Sequence, residues 1–158
     1  MSPEERLRRL AAEVRLELQR VQGVVRDLDA AIRSLAPDCP ASARMAVAGY
    51  LHSYFTGCES ILAQIARVIG DLPRGESWHQ ALLVSATAPI AGVRPPVLSA
   101  ETADRLLNLL RFRHFFRASY GVELDVSKLS KLGAAVPTTD AAFRADIEKF
   151  LGALESSD

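Results

Sequence analysis

The strongest constraint on this chain is an apolar stripe. Leu7, Ala11, Val14, Leu18, Val21, Val25, Leu28, Ile32 and Leu35 follow one another in alternating steps of four and three. That spacing keeps one face apolar for some eight helical turns and cannot alternate as a strand. Ser2-Pro3-Glu4-Glu5 ahead of it has the form of a capping box, with proline at the first helical position. Pro37 forbids continuation, so a long helix is expected to end before it. A stripe of this length serves a coiled-coil seam or a bundle; the further helical segments downstream favour the bundle.

Those segments can be read in turn. A second helix is expected from about Pro40 to Ile69, with Met45, Ala48, Phe55, Leu62 and Ile69 on its inner face. Ser77-Trp78-His79-Gln80 has the pattern of a second capping box and opens a short helix ending near Pro89. Ile90 to Leu98, with Pro95-Pro96, reads as a stiff extended connector. Ser99 caps a fourth helix, favoured by Glu101 in its first turn and expected to reach Tyr120 before Gly121. Val122 to Leu132 reads as a turn with a short helical piece, and Thr139 or Asp140 as the cap of a last helix to about Leu154. No strand pattern persists. The expected fold class is all-α, an up-and-down bundle of four to five helices in one domain over residues 1–158.

Composition narrows the function classes. The net charge is zero, so an RNA or DNA partner would need a local basic patch rather than a global field. Cys39 and Cys58 make neither a disulfide framework nor a zinc site, which fits a reducing cytoplasm. Charges crowd the first residues where a signal peptide would be apolar, and no run nears the roughly 20 apolar residues of a membrane span. Neither a membrane association nor a cofactor is expected.

Chemistry concentrates in the fourth helix. Leu110-Arg111-Phe112-Arg113-His114-Phe115-Phe116-Arg117-Ala118-Ser119-Tyr120 interleaves three arginines with aromatics. Composition alone reads this as an amphipathic helix with solvated arginines. The use of arginine each time points instead to bidentate phosphate contacts. Arg113 and position 118 lie five residues apart, about 140° around a helix, so one copy does not aim both at a single point. Two facing copies can. Arg111 and position 118 are seven apart and nearly aligned, which lets Arg111 share a phosphate.

Arg113, the polar His114, three variable positions and Tyr120 resemble the motif of HEPN-domain ribonuclease toxins of the HepT-like group. Gly121 to Asp125, Arg94 to Ser99 and Leu51 to Ile65 are similar to that group as well. The resemblance implies a HEPN-type bundle, a homodimer with a cleft between protomers, and metal-independent RNA cleavage. It further implies a nucleotidyltransferase antitoxin of the MNT type that adds AMP to the motif tyrosine, here Tyr120 (AMPylation). In that group Arg113 would hold the scissile phosphate, while Arg111, His114 and Arg117 would bind RNA. The family's histidine falls at position 118, where this chain has Ala118. Alanine moves no proton, and losing such a group costs on the order of 10²–10⁴ in rate. The expected protein is thus a toxin of a toxin–antitoxin pair with impaired catalysis, or else a non-catalytic homologue that binds RNA or its partner.

Other residues read more plainly. His52 reads as a packed or surface histidine, and Glu59 as a structural ion-pair partner for an arginine of helix four. Glu76 and His79 spell one half of a di-iron motif without its second half, so no metal site is expected. Trp78, Phe115 and Phe116 read as core.

Overall fold

The computed structural model describes residues 1–118 and 123–157. Five helices follow in order: α1 (Pro3–Ile32), α2 (Ala41–Ile69), α3 (Trp78–Ala86), α4 (Ala100–Ala118) and α5 (Val126–Glu155). Among the described residues there is no named strand, and the architecture is the expected all-α bundle. No described helix is long and apolar enough to cross a membrane.

The start of α1 follows its sequence signature. Ser2 Oγ accepts from the Glu5 N–H at 3.1 Å, and the Ser2 N–H donates to Glu5 Oε2 at 2.6 Å. Its stripe buries Leu10, Ala11, Val14, Leu18, Val21 and Leu28 against α2 and α5. Close approach of these helices requires glycine at two crossings. A Cβ on Gly57 would lie 2.6 Å from a Val21 methyl, and one on Gly133 would lie 2.5 Å from Ile32 Cδ1. α2 ends at Gly70, whose φ of 90° is the left-handed cap that glycine adopts without steric penalty.

Four expectations need correction. The last helix does not begin at Thr139 or Asp140. It begins after Asp125, whose carboxylate accepts from Ser127 and Lys128 N–H groups, and runs unbroken through Pro137. A proline inside a helix costs about 3 kcal/mol. Here Leu129, Gly133, Val136, Asp140, Phe143, Ile147 and Phe150 keep one buried face on both sides of it, while Pro137 faces solvent. Burying each large side chain stabilises by about 1.5–3 kcal/mol, and the summed burial outweighs the proline.

Ser77 makes no side-chain cap, because its φ of −93° and ψ of 21° lie outside the extended region an N-cap needs. The Ile90–Leu98 connector is also not extended throughout. Ile90 and Arg94 pair across a tight turn at Gly92, whose φ is 72°. Arg94 is then drawn inward to bond Asp71 at 2.8 Å and the carbonyls of Ser85, Ala88 and Pro95. Finally, Met45 and Phe115 are exposed and Trp78 and Phe116 only partly buried, so the core there is smaller than expected.

Candidate functional site

Ser99 starts α4 as predicted, its Oγ accepting from the Thr102 N–H at 3.2 Å. The Ser99 N–H donates to Asp146 Oδ2 at 3.0 Å, which ties this helix end to α5. Leu106, Leu109, Leu110 and Phe112 then bury one side of α4. Arg111, His114 and Arg117 stand on its exposed side, together with Phe115. Lys128 of α5 sits over the Phe115 ring at 4.7 Å and adds another cation beside that surface.

Arg113 does not share this exposure. Its side chain turns inward between α4 and α2, where Nη1 lies 3.3 Å from Glu59 Oε1. The guanidinium also stands 5.4 Å from the centre of the Phe55 ring. Glu59 Oε2 in turn lies 2.6 Å from His79 Nδ1 on α3. A carboxylate only accepts, so Nδ1 is the nitrogen that carries the hydrogen. The His79 ring stacks on Trp78 with centroids 3.9 Å apart. One buried carboxylate therefore joins three helices and sets the direction of Arg113.

This arrangement accounts for the face of α2 that looks toward α4. His52, Phe55 and Glu59 are spaced three and four apart, which places them on one side of the helix. His52 is half-buried, and among the described residues its enclosed Nδ1 has no hydrogen-bond partner. Burial holds the His52 imidazole below its ordinary pKa, the positive charges of Arg113 and Arg117 lower it further, and Glu59 acts the other way.

A deeper polar cluster lies apart from these groups. The Tyr54 hydroxyl donates to Asp140 Oδ1 at 3.4 Å, and Arg144 donates to Asp140 Oδ2 at 2.9 Å. Burial pushes both Tyr54 and the neighbouring Cys58 thiol well above their ordinary values, so neither ionises near neutrality. This cluster is structural.

The HepT-like protein family model matches residues 46–154, from the first turns of α2 almost to the end of α5. The chain belongs to the HepT-like family. No curated protein and no solved structure matches it. Within this HepT-like protein, α1 lies outside the matched span yet packs on both α2 and α5. The family assignment places the chain with toxin-type HEPN-domain proteins.

The residues singled out in the sequence are distributed unevenly. Arg111, His114 and Arg117 share the exposed side of α4, and Arg113 is anchored behind it. Ala118 closes the described part of the helix, and Tyr120 lies outside the described residues. Glu59 is the ion-pair partner the sequence suggested, at 3.3 Å from Arg113. His79 was missed as a member of this group. Its only sequence signal was a histidine in the first turn of a short helix, with nothing to indicate a partner 20 residues earlier.

Proposed function

We propose that this HepT-like chain is the toxin component of a toxin–antitoxin pair, built on a metal-independent ribonuclease site. With alanine at 118 it holds RNA more readily than it cuts it. The observation that carries the reading is the division of labour on α4. Three of its four motif-region cations or hydrogen-bonding groups face solvent, and the fourth, Arg113, is fixed in direction by Glu59. Exposed arginines suit the negative backbone of a flexible strand, and an oriented guanidinium suits one particular phosphate. Two copies of α4 facing each other across a homodimer cleft would combine these groups in one basic channel. The non-catalytic alternative, an RNA- or partner-holding homologue, is favoured by Ala118 itself and differs only in residual cleavage.

RNA binding tests this reading directly. Arg111→Ala and Arg117→Ala should each weaken the binding of single-stranded RNA measured by fluorescence anisotropy. Each should also reduce the slope of log affinity against log salt by about 0.7, the share of one phosphate contact. A wild-type chain with no measurable RNA affinity at low salt would overturn the proposal.

Tyr120 is proposed as the acceptor of AMP from an MNT-type nucleotidyltransferase. A phosphate placed three residues from Arg117 would engage the cation meant for RNA and repel an incoming strand. Incubation with the nucleotidyltransferase and ATP should add AMP to the wild-type chain and not to Tyr120→Phe, as read by peptide mass spectrometry. Unchanged modification of Tyr120→Phe would place the acceptor elsewhere.

A further inference from the structure

Between α4 and α5 runs an open groove of about 400 Å³. Leu109 of α4 and Leu132, Ala135 and Val136 of α5 supply its apolar lining. Leu109 and Val136 belong to the core, whereas Leu132 is only partly buried and Ala135 is exposed. Arg105, Lys128 and Lys131 line the same groove, and among the described residues no carboxylate does. The chain as a whole is neutral, so three cations without an acid are a local concentration. Arg105 shares its charge with Glu101, outside the groove, at 2.9 Å.

Local rules do not account for these residues. The N-terminal end of a helix favours acidic side chains. Beyond its Asp125 cap, the first turn of α5 holds Lys128 and no acid. An exposed helix face ordinarily carries charged groups. From Leu132 to Thr139, α5 carries none, although Ala134, Ala135, Pro137 and Thr138 are exposed.

The character of the lining selects the occupant. Its apolar residues are aliphatic, and among the described residues it offers no aromatic ring on which the bases of a single strand could stack. Two neighbouring helices instead present a furrow that receives the side-chain ridge of a third.

We propose that the α4–α5 groove docks an amphipathic helix of another protein, with an apolar ridge flanked by aspartate or glutamate. The ridge would lie on Leu109, Leu132, Ala135 and Val136, and the carboxylates would meet Arg105, Lys128 and Lys131. The stretch from Lys128 to Thr139 extends roughly 16 Å along α5, the length of about three helical turns. Docking here uses neither Arg113 nor position 118, and it holds whether or not the chain binds RNA.

The test uses the full chain and a fluorescein-labelled, hydrocarbon-stapled peptide of about four helical turns. Leucines in steps of three and four form its ridge, with glutamates on both sides; a matched peptide carries lysines in their place. Fluorescence anisotropy should show saturable binding of the glutamate peptide, about 10-fold or more tighter than the lysine peptide and weakened by salt. Ala135→Glu sets a like charge in the lining and should weaken binding by about 10-fold or more. Lys128→Glu combined with Lys131→Glu should do the same, while Lys131→Arg should stay within about two-fold of wild type. Circular dichroism of each variant separates loss of docking from loss of fold. Should Ala135→Glu fail to fold, the lysine pair carries the test. Absence of binding, equal binding of the two peptides, or binding indifferent to these substitutions overturns the inference. Single-stranded RNA that cross-links to Lys131 and is released by Ala135→Glu would make the groove an RNA seat. Self-association in sedimentation that Ala135→Glu abolishes would make a second copy of the chain the occupant. Either of these results also overturns the inference.

Discussion

Ala118→His is expected to raise metal-free RNA cleavage by about 10²–10⁴-fold over the chain as it stands, the usual contribution of a placed general acid or base. The reason is that the other groups of the proposed site lie on the same helix. Arg113 is already oriented by Glu59 at 3.3 Å, and Arg111, His114 and Arg117 already occupy the exposed side of the same helix. In the proposed site, the proton-carrying group is what the alanine at position 118 lacks. Supplying it should not disturb the fold, because α4 is anchored elsewhere, through Leu106, Leu109, Leu110 and Phe112. Expression of the restored protein should arrest growth, while the present chain should be tolerated. RNA cleavage with chelator present and colony counts after induction measure the two effects. A folded Ala118→His protein that binds RNA, cuts no faster and harms no cells would end the catalytic reading.

Glu59→Ala is expected to destabilise the fold by about 3–5 kcal/mol, which is a large fraction of the 5–15 kcal/mol typical of a domain. The Glu59 and Arg113 side chains are only 10% and 9% exposed. Removing the carboxylate leaves the guanidinium buried without its counter-ion, and it takes the hydrogen-bond partner of His79 Nδ1 as well. Phe55 offers some compensation as a ring facing the cation at 5.4 Å, but a ring does not replace an ion. Replacing both partners by apolar residues, Glu59→Leu with Arg113→Met, should recover much of the loss, because no charge then remains to be solvated. Urea unfolding of the three proteins measures the difference. A Glu59→Ala change below about 1 kcal/mol would mean that Arg113 finds water or another anion, and would remove Glu59 as the group that orients it.

The element boundaries show how far local rules reach. The α1 capping box and the Ser99 cap of α4 stand as their residues foretold, because each depends on groups within four positions of one another. The start of α5 departs from the expectation for the opposite reason, and Pro137 lies within the helix. Its local cost is real, and the burial that overrides it comes from α1 and α2, far off in sequence. The signal was nonetheless present, since the spacing from Leu129 through Phe143 to Phe150 runs across the proline without a phase change. Ser77 shows the converse, a cap pattern left unused because the preceding turn sets a backbone conformation that cannot cap.

For the candidate site, the sequence by itself determined that α4 is a helix dense in arginine and that alanine stands at position 118. These are statements about identity and spacing, which a one-dimensional chain contains in full. Only the tertiary structure decided which arginine turns inward. Arg113 faces Glu59 and Phe55 because α2 packs on that side of α4, while Arg111 and Arg117 meet no such carboxylate among the described residues and stay exposed. The tertiary structure also decided that His79 shares Glu59, a contact spanning 20 residues. The physical reason is that helical periodicity assigns a residue to a face, and the neighbour met by that face depends on how the helices pack.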